Sequence, residues 1–231
     1  MSRSSAALAA ATLLFAAGCL DTSTPTISLD FDLTQNGVGD TWDGGIADVA
    51  AAQAVNVTQV TDRRAIPGTT TNVLYQSGTN VAGDLFVFQK KYWTNFFPLT
   101  RYKAALQVQF VSAVHSGCTT GVGPSVVIKA GVSGEEPRSD ADANGVLRLS
   151  LDKGTGTAAG DFAQLGDIRN SESGCPAVGT LSAKSTSIVE QHAELITDAA
   201  GGFWMFVGTQ SSFAGRHELY IVRVHLNLTQ Q

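Results

Sequence analysis

The sequence predicts an all-β protein, built as an antiparallel β-sandwich of two sheets. Apolar and polar residues alternate with a period of two in several segments, and residues typical of turns lie between those segments. The chain also contains 24 glycines, which suits a fold with many tight turns. Strands separated in this way by Gly, Asp, Ser and Thr are typical of sandwich folds.

The first eighteen residues have the features of an export signal. Arg3 precedes an apolar run from Ala6 to Ala17, whose twelve residues fall short of the roughly 20 that a membrane-spanning helix needs. The sequence Ala16-Ala17-Gly18-Cys19 then resembles the lipobox of bacterial lipoproteins, in which the cysteine is diacylated and becomes the new N-terminus. The sequence therefore predicts a signal peptide over residues 1–18 and a lipid-modified Cys19. The alternative is an ordinary signal peptide cut near the same place, with an incidental cysteine.

Residues 19–26 are predicted to be the lipidated cysteine and a short tether rich in Thr, Ser and Pro, and residues 27–231 a single domain. Acyl chains on Cys19 would hold the protein on a lipid bilayer, because each buried CH₂ group contributes about 0.8 kcal/mol. Leu20, rather than an aspartate, follows the cysteine. By analogy with enterobacterial sorting, this favours the outer membrane.

Seven segments are predicted as strands. In the segment that begins at Tyr102, apolar side chains share one face, while Lys103, Gln107 and Gln109 lie on the other. The predicted strands are Ile27–Leu33, Asp84–Trp93, Tyr102–Val114, Val126–Gly131, Val146–Leu151, Phe203–Val207 and His217–Leu228.

In the last predicted strand, His217–Leu228, apolar and polar residues alternate regularly. Arg223, His225 and Asn227 are predicted on its polar face. The residues predicted on its apolar face are Tyr220, Val222, Val224, Leu226 and Leu228. One segment, Ser185 to Ala199, fits either a helix or a strand, and its context favours a strand.

Charge and cysteine content limit the classes of function. A net charge of −5 argues against nucleic-acid binding, which needs clustered Lys and Arg. With Cys19 assigned to lipid, Cys118 and Cys175 remain as an even pair in an oxidising compartment. A disulfide is the favoured interpretation. A metal pair assisted by His115, or two free thiols, are the alternatives.

Several segments together resemble an uncharacterised family of bacterial secreted proteins and lipoproteins. The resemblance spans most of the mature domain, and its motifs are strand and turn sequences rather than catalytic signatures. It implies a jelly-roll sandwich similar to carbohydrate-binding modules, with no assigned activity. The segments that carry it are Gly83–Lys91, Leu99–Ser112, Leu151–Gly154, Phe203–Thr209 and Leu219–Ile221.

One acidic loop has the pattern of a calcium site. Asp140, Asp142 and Asn144 alternate before Gly145, as at the start of an EF-hand loop. The twelfth position is a leucine and a strand follows, so this is not an EF-hand. Asp152 could complete a hard-ion site, and a structural calcium ion is the one cofactor that the sequence suggests. The alternative is a polar hairpin turn.

Aromatic residues in loops suggest a ligand-binding surface. Trp42 lies beside Asp43 in an acidic stretch, and Tyr92 and Trp93 begin a stretch with four aromatic residues. Indole and phenol rings can stack on sugar rings while carboxylates accept hydroxyl protons. Packing of these rings beneath their loops is the alternative.

No catalytic signature is present. The sequence contains no Gly-x-Ser-x-Gly elbow, no His-Glu-x-x-His motif and no phosphate-binding glycine loop, so we expect that the protein is not an enzyme. The favoured hypothesis is a lipid-anchored module that binds polysaccharide or another ligand. The alternative is a structural component of the cell envelope that contacts another envelope protein and has no small-molecule ligand.

Overall fold

A computed structural model describes residues 24–34, 42–54, 60–81, 84–154 and 160–231. The predicted signal peptide and Cys19 lie outside the described residues. Within them, no helix is long and apolar enough to cross a membrane. The strands are β1 (Thr26–Asp32), β2 (Asp43–Ala47), β3 (Val49–Ala50), β4 (Val60–Ala65), β5 (Asn72–Asn80), β6 (Leu85–Trp93), β7 (Arg101–Ser112), β8 (Val126–Ser133), β9 (Ser139–Ala141), β10 (Val146–Leu149), β11 (Ala163–Asp167), β12 (Ser182–Ser185), β13 (Val189–Glu190), β14 (Leu195–Ile196), β15 (Phe203–Ser211) and β16 (Gly215–Gln230), and the helices are α1 (Ala51–Ala54) and α2 (Val122–Ser125).

Two large antiparallel sheets pack against each other, which confirms the predicted all-β sandwich. We call the first the long sheet, because it contains the two longest strands, β7 and β16, paired side by side. The short strands β12, β13 and β14 follow one another along the free edge of β7. The second sheet has the order β11-β8-β15-β6-β2.

The main core lies between these two sheets. Alternate residues of β7 from Tyr102 to Phe110 are fully buried in it, as the alternation predicts. Ile128 and Met205 reach the same core from the second sheet. The intervening residues of β7 therefore point away from the core, on the outer face of the long sheet.

The interior between the sheets also contains polar side chains. Gln76 Nε2 donates to the Val207 carbonyl at 2.9 Å, and Asn80 Nδ2 donates to the Ser211 carbonyl at 2.9 Å. His217 lies 3.0 Å from the Thr209 hydroxyl, measured from Nε2, and only 2% of the residue is exposed. These bonds join the long sheet to the second sheet. Burial also lowers the pKa of His217 to about 4.

Of the third, short sheet of β3, β10 and β9, only β10 was predicted, as Val146–Leu151. Leu151 and Phe162, which follow β10 in the chain, lie on the outer face of the second sheet and pack with the aromatic rings of Phe86, Phe88 and Phe206. The Phe162 ring lies 4.3 Å from that of Phe206. The second sheet is thus covered on this outer face as well as on the core side.

The predicted apolar face of the last strand is wrong in its first half. The register between β16 and β7 shifts between Ile221 and Arg223, so Val222 is the extra residue of a β-bulge. Before the bulge, Leu219 and Ile221 enter the main core, while Tyr220 joins a separate cluster. After the bulge, the inward positions are Val224, Leu226 and Leu228, as predicted. One inserted residue exchanges the two faces of a strand, because the side-chain period is two.

The bulge coincides with a change of neighbour. The first half of β16, Gly215–Ile221, pairs with β5, and the second half, Arg223–Thr229, pairs with β1. The ambiguous segment Ser185–Ala199 forms strand pieces along β7, as its context predicted.

Candidate ligand-binding groove

A polar groove of about 270 Å³ lies on the outer face of the long sheet. Strand pairing places its residues in two adjacent rows. One row contains Ser185, Gln109 and Arg223, and the other contains Gln107, His225 and Asp30. Since the floor is made of paired strands, these side chains project from a rigid backbone. The residues that line the groove are Asp30, Gln107, Gln109, Ser185, Ile188, Arg223 and His225.

Some of these groups are held by neighbours. His225 Nδ1 lies 3.0 Å from Asp30 Oδ1, which fixes the ring and leaves Nε2 on its other side. One wall of the groove is the segment from β12 to β14, residues 182–196, which we call the wall segment. Gln107 Nε2 donates to the Thr186 carbonyl at 2.7 Å, and this bond ties the floor to the wall segment. The groove therefore has a defined arrangement of side chains without a ligand.

Other groups are available for a ligand. Among the residues that the structure describes, none hydrogen-bonds the Gln109 amide, which has both donors and an acceptor. The Arg223 guanidinium lies 3.8 Å from Asp32 Oδ2, farther than a hydrogen bond. Ile188, which is 53% exposed, adds an apolar contact at the wall. The groove thus combines one carboxylate, one guanidinium, amides and an aliphatic side chain.

A second pocket of about 190 Å³ follows on the same face, beside the same strand. It is lined by Lys103 from β7 and by residues 190–194 of the wall segment. The Lys103 ammonium lies 3.6 Å from Glu190 Oε1. Gln107 of the groove and Lys103 of the second pocket are four residues apart on β7, so about 13 Å separates them along the strand.

The predicted ligand-binding residues occupy other positions. Trp42 and Trp93 are partly buried against the main core, and the Trp93 ring lies 4.3 Å from that of Phe31. Both indole Nε1 atoms are buried and have no hydrogen-bond partner in the described part of the chain. Asp43 is exposed and faces Lys90 across the β2–β6 pair. A ligand-binding role for these residues stays a prediction.

Tyr92 packs against Trp204, which is not among the predicted ligand-binding residues. Its ring lies 5.2 Å from that of Trp204, and Lys90 Nζ lies 5.3 Å from the Trp204 ring on the same face. The Tyr92 hydroxyl donates to Asp198 Oδ2 at 2.5 Å. This hydrogen bond raises the pKa of Tyr92 and lowers the pKa of Asp198. Tyr92 thereby ties β6 to the turn before β15.

The predicted calcium loop is a hairpin turn between β9 and β10. Asp142 Oδ1 accepts the backbone N–H groups of Asn144 at 2.8 Å and of Val146 at 3.0 Å, and its Oδ2 lies 3.1 Å from Arg148 Nε. The bond from Val146, with those from Arg148 and Asn144, holds the pKa of the Asp142 carboxyl below its ordinary value.

The other predicted calcium ligands lie elsewhere. Asp140 is in β9, opposite Arg148, and Asp152 Oδ1 accepts the Gly154 N–H at 2.9 Å. In the described ranges, no three His, Cys, Asp or Glu side chains are grouped so that they could hold a metal ion. Calcium binding stays a prediction.

The two cysteines of the domain form a disulfide, as favoured from the sequence. The Cys118–Cys175 bond joins the loop after β7 to the loop before β12. His115 is not arranged as a metal ligand beside the two sulfurs, because both of its ring nitrogens bond to backbone groups. Its Nε2 accepts the Thr180 N–H at 2.8 Å, so its Nδ1 carries the proton and donates to the Ser173 carbonyl at 3.0 Å.

Comparison with known proteins gives likenesses to solved structures. No protein-family model and no curated protein sequence matches the chain. Among solved structures, the chain is similar to the enzymatically active domain of bacteriophage CBA120 tailspike protein 4, with 10% sequence identity and a TM-score of 0.32. The likeness covers 83% of this chain and 21% of the tailspike chain. A likeness at this level carries no argument about activity.

Proposed function

We propose that this protein is an exported lipoprotein, anchored to the outer membrane through Cys19, whose sandwich domain binds carbohydrate in the groove of the long sheet. The observation that carries the binding role is the set of polar side chains on the rigid floor of the groove, in which the Gln109 amide has no hydrogen-bond partner among the described residues. Ligand sites typically combine a few placed polar groups with apolar contact area, and this groove has both.

The chemistry of the groove favours a neutral, hydroxyl-rich ligand. Asp30 and Arg223 bring opposite charges to the groove, so neither a strongly anionic nor a strongly cationic ligand is favoured over the other. The carboxylate accepts hydrogen bonds, the guanidinium donates them, and the Gln109 amide does both. Adjacent hydroxyl groups on a sugar ring can satisfy such a set, and Ile188 can contact the C–H surface of the ring.

The second pocket favours a polymer over a single sugar. Both pockets lie beside β7 and are bounded by the same wall segment. The distance of about 13 Å between Gln107 and Lys103 is longer than one sugar ring. An oligosaccharide that lies along β7 would contact both pockets, whereas a monosaccharide would occupy one.

Substitutions in the groove test the binding role. We expect that Gln109→Ala or Arg223→Ala each raises the Kd for a bound glycan about tenfold to a hundredfold, because each removes one or two hydrogen bonds to the ligand. A broad glycan panel followed by calorimetry on the full chain would measure this. Arg216→Ala is the matched control. Arg216 is an exposed arginine bonded to Glu218 at 3.0 Å and lies away from the groove, so its loss should leave the Kd unchanged.

Two outcomes would contradict the proposal. Absence of saturable binding across the panel would remove the carbohydrate role. Binding that is unaffected by Gln109→Ala and Arg223→Ala, yet lost on Trp42→Ala or Trp93→Ala, would move the site to the residues predicted from the sequence.

Ligand length tests the second pocket. We expect that affinity rises with the number of sugar units until the ligand reaches Lys103, and that Lys103→Ala then weakens only the longer oligosaccharides. The expected loss is about tenfold to a hundredfold, the size of one hydrogen bond to a charged group. Titration of a ligand series of increasing length against both proteins would measure it. Equal losses for short and long ligands would contradict an extended site.

A further inference from the structure

We infer that the exposed apolar side chains Phe97, Leu99 and Ile196 insert into the bilayer to which Cys19 is attached. We call these three side chains the apolar tip. This inference rests on the proposed lipidation of Cys19. It adds a second contact between protein and lipid, and it sets the orientation of the domain on the membrane.

The three side chains of the apolar tip are large and apolar, yet much of their surface is exposed to solvent. Phe97 is 70% exposed, Leu99 is 69% exposed and Ile196 is 44% exposed. Phe97 and Leu99 lie in the loop between β6 and β7, and Ile196 faces Arg101 across the β14–β7 pair. The three residues therefore lie at one end of the long sheet. A single exposed apolar residue needs no explanation, but a cluster on a loop tip marks a contact site.

The loop that carries the tip is held firmly. The Phe96 N–H donates to the Gly201 carbonyl at 3.0 Å, and the Leu99 N–H donates to the Asp198 carbonyl at 3.2 Å. The Thr197 hydroxyl donates to the Phe97 carbonyl at 2.6 Å. These bonds to residues 197–201 fix the backbone of the loop, so Phe97 and Leu99 cannot turn toward the core without losing them.

The backbone at Leu99 is strained in a way that packing does not explain. Its φ is 50°, in the left-handed region that favours glycine or asparagine. A non-glycine residue there costs free energy, and Leu99 gains no burial in return. Strain of this kind is common at functional sites. In this protein it maintains a leucine side chain in solvent beside Phe97.

The start of the domain lies at the same end of the sandwich. Thr26 pairs with Thr229, which in turn pairs with Lys103 near the beginning of β7. The Gln230 N–H donates to the Pro25 carbonyl at 3.1 Å. Seven peptide steps separate Cys19 from Thr26, so the chain between them spans at most about 25 Å. An acylated Cys19 therefore holds this end of the domain, with the apolar tip, close to the lipid.

The charges near the tip favour insertion by the hydrophobic effect rather than attraction to anionic lipid. Arg101 Nη1 lies 3.0 Å from Glu194 Oε2, and Lys103 is paired with Glu190. These pairs leave little excess positive charge beside the tip. Three side chains would hold a free protein weakly, but the acyl chains make the contact intramolecular and raise the local concentration of lipid. Zwitterionic lipid should therefore suffice.

An exposed valine provides a matched control at the opposite end of the sandwich. Val178 is 86% exposed, and its neighbour Gly179 lies against the Ala113 carbonyl, just beyond the last residue of β7. The twelve residues of β7 span about 40 Å. A probe at position 178 should therefore remain in water whenever a probe at position 97 is in lipid.

The test uses the full lipidated protein, reconstituted into phosphatidylcholine vesicles with or without bromine on the acyl chains. Phe97→Trp and Val178→Trp each add one tryptophan, and the emission of the unsubstituted protein is subtracted. Brominated acyl chains quench only tryptophans that enter the bilayer. We expect severalfold quenching of the added emission for Phe97→Trp and none for Val178→Trp. Equal emission of Phe97→Trp in both kinds of vesicle overturns the inference.

Vesicle flotation separates the failure of this inference from failure of the anchor. If the purified protein carries no acyl mass on Cys19 and does not float with vesicles, the lipidation proposal is wrong and the apolar tip has no bilayer to enter. If the protein floats but Phe97→Trp is not quenched, the anchor stands and the domain extends away from the membrane on its tether. Both substitutions are at exposed positions, so the fold should tolerate them.

Discussion

Replacing both Cys118 and Cys175 with serine is expected to lower the free energy of unfolding by about 2–4 kcal/mol. The disulfide closes a loop of 57 residues, and in the chain-entropy model this cross-link restricts the unfolded chain by about 4 kcal/mol. Native contacts around the bond remain after the substitution, among them Ser116 N–H to the Glu172 carbonyl at 2.8 Å. The protein should therefore fold, with a lower midpoint in urea.

Urea unfolding of the oxidised protein, the reduced protein and the double variant measures this effect. The reduced protein and the double variant should agree, since both lack the cross-link. Ser116→Ala is a suitable control in the same loop, because it removes one side-chain hydrogen bond, to the Glu172 carbonyl at 2.7 Å, and keeps the disulfide. An unchanged midpoint after reduction would show that the loop closure contributes nothing to stability.

Acidification is expected to destabilise the fold through His217. Burial lowers the pKa of His217 from its ordinary 6.5 to about 4 in the folded protein. Between these two values the unfolded chain binds the proton and the folded chain does not, so the free energy of unfolding decreases as pH falls from about 6.5 to about 4. A shift of this size corresponds to about 3 kcal/mol over that range. Above pH 6.5 this contribution is constant.

The slope of stability against pH is the readout. His217→Gln keeps a polar side chain beside Thr209 but cannot titrate, so it should remove most of the slope between pH 6.5 and pH 4, whatever its effect on stability at pH 7. His192→Gln, at an exposed histidine, should leave the slope in place. A His217→Gln protein whose slope equals that of the unsubstituted chain would contradict a buried, neutral histidine.

The strands were predictable where alternation continues without interruption. The buried row of β7 from Tyr102 to Phe110 follows a strict period of two, so its faces and its approximate ends could be assigned. The same rule failed at Val222, because a bulge leaves no local signal in an apolar run. Two strands of the short third sheet were missed because β3 has two residues and β9 has three. Strands of that length do not establish a period.

The groove was predictable only in part. The sequence places Gln107, Gln109, Arg223 and His225 on polar faces of two strands, but it does not show that these strands are neighbours or in which register they pair. Asp30 belongs to the first predicted strand, almost two hundred residues from His225, and only the β1–β16 pairing brings the two together at 3.0 Å. The sequence pointed instead to Trp42 and Trp93, because aromatic rings can stack on sugars, but both indoles pack partly against the main core.

In the groove, the residues that stabilise the fold and the residues that could vary to fit a ligand belong to different elements. Its floor belongs to β7 and β16, whose opposite face is the main core, and changes there endanger the fold. Its wall is the run from β12 to β14, a discontinuous edge in which Thr186 and Gln191 extend the bonding to β7, while residues 187, 188 and 192–194 are unpaired with the β7 backbone. Lengthening or exchanging those unpaired residues would reshape the cavity while leaving the sandwich intact. In the proposed binding role, variation along this edge would change ligand preference. A library randomised at positions 187, 188 and 192–194 would spare Thr186 and Gln191, which are buried and hydrogen-bonded to the sheets.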